Sequence, residues 1–165
     1  MYCDIENLGT ADRYLDEIHE LASNIPLFDD LTQQEVELLC RHLDCYGAPR
    51  NYPLLKDASE RNFLLLILTG WVEVRHTCPE KNFGHRTEIM TGGTIGEISL
   101  IDGLPDVPDC ITSVPTDFAV LTQEGLNRLL ENAPRVGNKV LLALLKQMSR
   151  RMRGANHVAG TSRLH

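Results

Sequence analysis

The stretch that decides the fold is Gly92-Gly93-Thr94-Ile95-Gly96-Glu97-Ile98-Ser99-Leu100-Ile101-Asp102-Gly103-Leu104-Pro105. It predicts a glycine turn followed by a short helix that begins after Gly96. The first turn of a helix has backbone N–H groups without partners in the helix, and these can bind an anion. The stretch therefore predicts a short helix whose first backbone N–H groups are free to bind an anion.

Short apolar and alternating runs flank this stretch on both sides. The predicted strands are 63–68, 72–75, 87–90, 110–114 and 118–121. Turn residues such as Gly70 and Pro115 separate them, and a polar loop lies at 78–86. Many short strands with turn signals between them are typical of a β-roll or barrel.

Helices are predicted at both ends of the chain. A weaker amphipathic pattern covers 11–23, and a capping box of Thr32 and Glu35 begins a helix at about 33–43. Near the other end, Thr122 caps a helix that Pro134 terminates. A long helix follows at about 135–153, with Gly154 just past its end.

These patterns predict an α+β protein that is mainly β. The predicted division is an N-terminal helical extension at 1–30, one domain at 31–153 and a flexible tail at 154–165.

Composition narrows the class of protein. The net charge is −7, which argues against nucleic acid as a partner because phosphate binding needs clustered Lys and Arg. The basic residues Lys146, Arg150, Arg151 and Arg153 are a local exception, and we interpret them as complements to the negative end of the long helix. No run of about 18 apolar residues predicts a membrane span, and the acidic first residues do not resemble a signal peptide, so we expect a cytoplasmic protein.

Reactive and metal-binding patterns are missing from the sequence. The five cysteines include no C-x-x-C pair, which favours free thiols over a disulfide framework. His76, Cys78 and His85 do not match a zinc spacing and are interpreted as part of the hairpin. There is no nucleophile–base pattern and no phosphate loop with a lysine, so we predict neither an enzyme nor a metal site.

Residues 25–153 resemble the cyclic-nucleotide-binding domain family, which includes the sensory half of the catabolite activator protein. The resemblance rests on Gly96-Glu97 and Pro105, in register with the family's phosphate-binding cassette, and on 68–74, which follow its Leu-x-Gly-x-Val-x-Val pattern. It implies a jelly-roll β-roll and a cyclic nucleotide as ligand, with the ribose on Glu97. The cassette residues that it implies are Gly96, Glu97, Ile98, Ser99, Pro105, Asp106 and Val107.

The cassette departs from the family pattern where the phosphate would bind. Asp106 stands where the family has an arginine, and Pro108, which has no N–H, stands at the following alanine position. No Lys or Arg occurs between Glu97 and Gln123. A phosphate here would lose a charged hydrogen bond worth about 1.5–3 kcal/mol, so the sequence predicts impaired or lost binding of cyclic AMP. Upstream, 57–62 also lacks the two glycines of the family's turn.

The long helix is the predicted contact between two copies. Its apolar residues recur every four positions, and the resemblance implies a parallel dimer through this helix. The predicted dimer residues are Val140, Leu144, Met148 and Met152. The alternative is that this face packs against the chain's own barrel.

Two functions fit these patterns. The first is a dimeric regulatory or interaction module that signals to a protein partner and has an impaired cyclic-nucleotide site. The second is a live sensor of cyclic AMP, cyclic GMP or a cyclic dinucleotide. The sensor needs an arginine from outside the cassette, for which Arg128 or Arg135 of a second copy are the candidates. Neither function calls for nucleic acid, a membrane or another cofactor.

Overall fold

Two antiparallel sheets form the body of the protein. In the computed structural model, the described residues are 2, 4–55, 62–76, 85–104 and 109–161. The first sheet has the order β1-β2-β8-β3-β6 and the second β5-β4-β7. The strands are β1 Glu6–Thr10, β2 Asp44–Ala48, β3 Phe63–Ile67, β4 Trp71–His76, β5 His85–Met90, β6 Thr94–Ile95, β7 Asp109–Thr112 and β8 Thr116–Thr122.

Among the described residues, two α-helices lie between β1 and β2, one lies between β6 and β7, and two follow β8. They are α1 Leu15–Leu21, α2 Gln33–Cys40, α3 Glu97–Asp102, α4 Gln123–Asn132 and α5 Pro134–Thr161, with 3-10 turns at Ala11–Tyr14, Ala22–Asn24 and Pro26–Phe28. The predicted fold class, a mainly β domain with flanking helices and a long C-terminal helix, is confirmed.

The position of β3 between two hydrophobic cores explains why its sequence is apolar without alternation. Successive side chains of a strand point to opposite faces of the sheet. Leu64 and Leu66 face the core formed with the helices, whereas Leu65 and Ile67 face the core inside the β-roll. All four are at most 1% exposed, so both faces of the strand are covered and a continuous apolar run results.

Two caps begin the helices where the sequence predicts them. Glu35 N donates to Thr32 Oγ1 at 3.3 Å and Thr32 N donates to Glu35 Oε2 at 2.8 Å, which completes the capping box. Gly125 N donates to Thr122 Oγ1 at 3.0 Å at the start of α4. Both predictions of helix starts are confirmed, although α2 ends at Cys40 and is shorter than predicted.

The N-terminal segment is not only helical, and this part of the prediction for 1–30 is wrong. Residues 6–10 form β1, which pairs with β2 at the edge of the larger sheet. Before it, the ring of Tyr2 lies 5.0 Å from that of Tyr46 and 5.2 Å from that of Phe118. The Tyr2 hydroxyl donates to the carbonyl of Leu54 at 2.6 Å. This segment therefore belongs to the β-roll, and the domain boundaries remain a prediction.

The end of the long helix also differs from the prediction. Helix α5 continues through Gly154 to Thr161, so Gly154 is not a cap and 154–161 is not an irregular tail. A single glycine costs a helix only about 1 kcal/mol relative to alanine, which does not terminate it. The basic residues 146–153 consequently lie inside the helix, and their interpretation as complements to its last turn is wrong.

The first half of α5 packs against the chain's own core. Val136, Val140 and Leu144 are at most 4% exposed there. Lys139 donates to Glu35 Oε2 at 2.6 Å and thereby lowers the pKa of Glu35 from 4.5 to about 2. Lys146 makes a second ion pair, with Asp30. Hydrophobic packing and two ion pairs thus hold α5 against the N-terminal helical region.

The prediction that Val140 and Leu144 contact a second copy is therefore wrong, because both are 0% exposed in a single chain. Residues spaced by four are displaced by about 40° around the helix axis at each step. A row of such residues that starts on the buried face therefore reaches the exposed face within three steps. Met148 is half-buried, and Met152 is 67% exposed.

We predict that Leu144→Ala and Leu145→Ala, on adjacent positions of α5, have very different effects. Leu144 is fully buried, so its truncation should lower the free energy of unfolding by about 2–5 kcal/mol. Leu145 is 51% exposed, so its truncation should change it by no more than about 0.5 kcal/mol. Urea denaturation at low protein concentration measures both. Equal losses would contradict this orientation of the helix.

Candidate functional site

The glycine turn of the cassette is built as the sequence predicts. Gly96 has a φ of +91° and directly precedes α3. A Cβ at this position would lie 2.4 Å from the carbonyl oxygen of Phe63, so only glycine fits between β3 and the helix. This close approach brings the first residue of α3, Glu97, against the sheet.

Glu97 is buried and both of its carboxylate oxygens are engaged. The residue is 3% exposed. Arg151 Nη1 donates to Oε2 at 2.9 Å, and the hydroxyl of Thr94 donates to Oε1. Arg151 Nη2 also donates to the carbonyl oxygen of Thr94 at 2.6 Å. The guanidinium therefore joins α5 both to the cassette helix and to β6.

The hydroxyl of Thr94 is the centre of the network. It lies 2.6 Å from Oε1 of Gln147, the residue one turn before Arg151 on α5. A hydroxyl carries a single proton and cannot donate to both Gln147 and Glu97. The amide of Gln147 is therefore better placed with its nitrogen toward Thr94, because this leaves the hydroxyl proton for Glu97. The exchange also gives a partner to the amide nitrogen, which is otherwise buried without one.

The other predicted cassette residues lie in different surroundings. Ser99 is fully buried, whereas Ile98 is 44% exposed on the outer face of α3. Pro105, Asp106 and Val107 lie outside the described residues, as does Pro108. Of the predicted cassette residues, the structure thus shows Glu97 in contact with α5, through Arg151.

The arginine that reaches the cassette is not one that the sequence suggested. Arg128 pairs with Glu124 at 3.3 Å on α4, and Arg135 lies 3.9 Å from Glu35. Arg151, Thr94 and Gln147 were not predicted as site residues. The sequence does contain a signal for Gln147 and Arg151. They continue the buried face of Val140 and Leu144 on α5, at spacings of three and four residues.

Among the described residues, no group of three or more His, Cys, Asp and Glu side chains could hold a metal ion. No helix in the described part of the chain is long and apolar enough to cross a membrane. The described cysteines Cys40, Cys45 and Cys110 are buried free thiols, and burial raises the pKa of each to about 12. A raised pKa removes the thiolate that reactive cysteines need.

The whole chain superimposes on a solved domain of high sequence similarity. That structure is a cyclic nucleotide-binding domain from Methylobacillus flagellatus, with 42% identity over 100% of this chain and 93% of that one, at a TM-score of 0.85. The chain belongs to the cyclic-nucleotide-binding domain family. The resemblance inferred from the cassette is thereby confirmed.

Two more distant proteins share this fold. The catabolite activator protein of Thermus thermophilus is 23% identical, over 82% of this chain and 62% of that chain, with a TM-score of 0.71. The regulatory subunit of a cAMP-independent protein kinase A from Trypanosoma brucei is 19% identical, over 94% and 53%, with a TM-score of 0.67. No family model matches the sequence, and no curated protein does.

We predict that Glu97 and Arg151 are energetically coupled in this cyclic-nucleotide-binding domain. Arg151→Ala leaves a buried carboxylate without its cation and should lower the free energy of unfolding by about 1–3 kcal/mol. Glu97→Gln combined with Arg151→Ala should cost less than the sum of the single changes, because the double variant buries no unpaired charge.

Urea denaturation of the four proteins of this cycle measures the coupling. Arg153→Ala is the matched control, since Arg153 is an exposed arginine on the same helix and should change stability by less than about 0.5 kcal/mol. Additive losses would contradict the ion pair.

Proposed function

We propose that this protein is a non-enzymatic regulatory module whose cyclic-nucleotide site is impaired and which signals to a partner protein. The observation that carries the proposal is the buried carboxylate of Glu97, whose two oxygens both accept hydrogen bonds from the chain itself and to which the family resemblance gives the ribose. One of its oxygens accepts from Arg151 and the other from Thr94. A ribose hydroxyl would have to share one of these oxygens with a donor that is already bound, on a side chain of which only 3% is exposed.

The sequence of the cassette supports the same conclusion independently. Asp106 stands at the position of the family's phosphate-binding arginine, and no Lys or Arg occurs from 98 to 122. A cyclic phosphate would meet a carboxylate where relatives of this pattern offer a guanidinium. Loss of the charged hydrogen bond at the phosphate and occupation of the ribose acceptor both weaken binding.

We predict weak or undetectable binding of cyclic AMP by the unaltered protein in calorimetry. Asp106→Arg should raise the affinity about ten- to a hundredfold, because it restores a charged hydrogen bond worth about 1.5–3 kcal/mol. Asp106→Arg with Pro108→Ala should bind more tightly than either single variant, because Pro108 withholds a backbone donor. Tight binding by the unaltered protein would instead support a live sensor.

The proposed assembly is a homodimer through the exposed face of α5. Leu142, Leu145 and Met152 are 56%, 51% and 67% exposed. With Asn138 and Ser149 they follow alternating spacings of four and three residues, which is the pattern of a coiled-coil seam. A second copy of the same helix has the complementary repeat.

We predict that Leu145→Glu together with Met152→Glu yields a folded monomer in sedimentation equilibrium. Covering a Leu or Met side chain contributes about 1.5–3 kcal/mol, so introducing charge there should weaken the dimer by more than tenfold. Met90→Glu is the control, because Met90 is 56% exposed but lies on β5. A wild-type protein that is monomeric at high concentration would refute the dimer.

A further inference from the structure

Helix α5 carries a large share of the positive charge of the chain. It contains six of the 16 Lys and Arg residues and none of the 23 Asp and Glu residues. The rest of the chain therefore has ten cationic against 23 anionic side chains, so the net charge of −7 conceals a separation of charge. The end of the helix does not explain this separation, because α5 continues past its last arginine to Thr161.

Five of these six cations form a stripe along one side of α5. At about 100° per residue, they fall within about 60° of the helix circumference. The members of this basic stripe are Arg135, Lys139, Lys146, Arg150 and Arg153. The sixth cation, Arg151, lies on the packed face and binds Glu97. The basic stripe runs beside the exposed apolar residues Leu142, Leu145 and Met152, so a contact along it is compatible with the proposed dimer.

The first three members of the basic stripe already hold acidic residues of the same chain. Oε2 of Glu35 lies 2.6 Å from Nζ of Lys139, and its Oε1 lies 3.9 Å from Nε of Arg135. Asp30 pairs with Lys146. These carboxylates come from the first turn of α2 and from the residues just before it. The molecule thus contains an example of an acidic segment docked along the stripe.

The last two members continue the basic stripe beyond this acidic segment. Arg150 and Arg153 are exposed, and no carboxylate of the described residues lies within ion-pair distance of either. They lie about 6 and 10.5 Å past Lys146 along the helix axis. Like charges spaced by four and three residues on a helix repel each other. Carboxylates placed against this end of the stripe would relieve the repulsion.

We propose that Arg150 and Arg153 are a docking site for an acidic segment of the partner protein. The segment binds there as Asp30 and Glu35 bind the first part of the stripe. Because the two arginines are one helical turn apart, the segment that fits them has two carboxylates at a similar separation, such as Asp or Glu residues spaced by three or four on a helix. This inference names the chemistry of the partner and rests on the proposed function.

The charge of the rest of the chain favours a protein segment over an extended polyanion. A nucleic-acid duplex or an anionic bilayer would also face the anionic surface around α5. Exposed charges act over a Debye length of about 8 Å at physiological ionic strength, so that surface would repel it. A short segment that lies along the stripe contacts the arginines without covering the acidic surface.

Fluorescence anisotropy with a labelled peptide tests the docking site. The probe is an alanine-based helical peptide of about 20 residues with glutamates spaced by four, and its counterpart has glutamine at the same positions. The glutamate peptide should bind and the glutamine peptide should not. Arg150→Ala with Arg153→Ala should weaken binding at least about fivefold. Arg41→Ala with Arg50→Ala removes the same charge from exposed arginines outside α5 and should change it less than about twofold.

Asp30→Asn provides a gain of binding that misfolding cannot imitate. It frees Lys146, which neighbours Arg150 on the stripe, and should tighten binding of the glutamate peptide about two- to fivefold. Glu124→Gln is the matched control. It also removes one negative charge and frees one cation, Arg128, but on α4, so it should leave the affinity unchanged.

Several results would overturn the docking site. They are no binding of the glutamate peptide at about millimolar concentration, equal binding of the glutamine peptide, equal losses in the two double-arginine variants, and no gain with Asp30→Asn. Tighter binding of duplex DNA or of phosphatidylserine vesicles than of the glutamate peptide would also overturn it. Tight binding of cyclic AMP or a monomeric wild-type protein would instead refute the proposed function, and neither alters the result expected at Arg150 and Arg153.

Discussion

The buried carboxylate of Glu97 is the constraint on which the arrangement of the cassette depends. Gly96 allows α3 to begin so close to β3 that the first side chain of the helix is enclosed. An enclosed carboxylate requires a cation or several hydrogen-bond donors to remain charged. In this protein the chain supplies both, through Arg151 and Thr94. The position of the second half of α5 follows from that requirement.

Helix α5 connects the N-terminal helical region, the cassette and the exposed surface that is proposed to contact a second copy. Its first half is seated on the N-terminal helical region by Val136, Val140 and Leu144, with ion pairs to Glu35 and Asp30. Its second half reaches the cassette, and its outer face presents Leu142, Leu145 and Met152. One helix, α5, therefore connects Glu97 to the surface that is proposed to contact the second copy. Under the proposed function, this arrangement connects the impaired ligand site to the surface that a partner would bind.

Much of the fold could be predicted from local signals. The capping box at Thr32, the continuous apolar run of β3 and the register of Gly96-Glu97 each reflect short-range chemistry, and all three are present as expected. The strands β1 and β2 were missed because Gly9, Gly47 and polar residues interrupt their apolar pattern. Their pairing is decided by distant partners, since β2 lies between β1 and β8.

The site was less accessible to sequence reasoning, for a physical reason. Glu97 could be named because its motif is local, whereas Arg151 is 54 positions away and reaches it only through tertiary packing. The four-residue spacing from Val140 to Met152 also led to a wrong prediction of one dimer face. Residues at this spacing turn from the core to solvent along the helix. A polar pair at Gln147 and Arg151 on an otherwise buried face is the signal that identifies such a contact.

The state of the Arg151 guanidinium tests the central claim most directly. In the ligand-free protein, ¹⁵N–¹H NMR of the arginine side chains can be assigned to this residue by comparison with Arg151→Lys. A guanidinium held by Glu97 and the Thr94 carbonyl rotates slowly, so its Nη groups should give separate signals that merge in Glu97→Gln. A single averaged signal, like that of the exposed Arg153, would contradict the account.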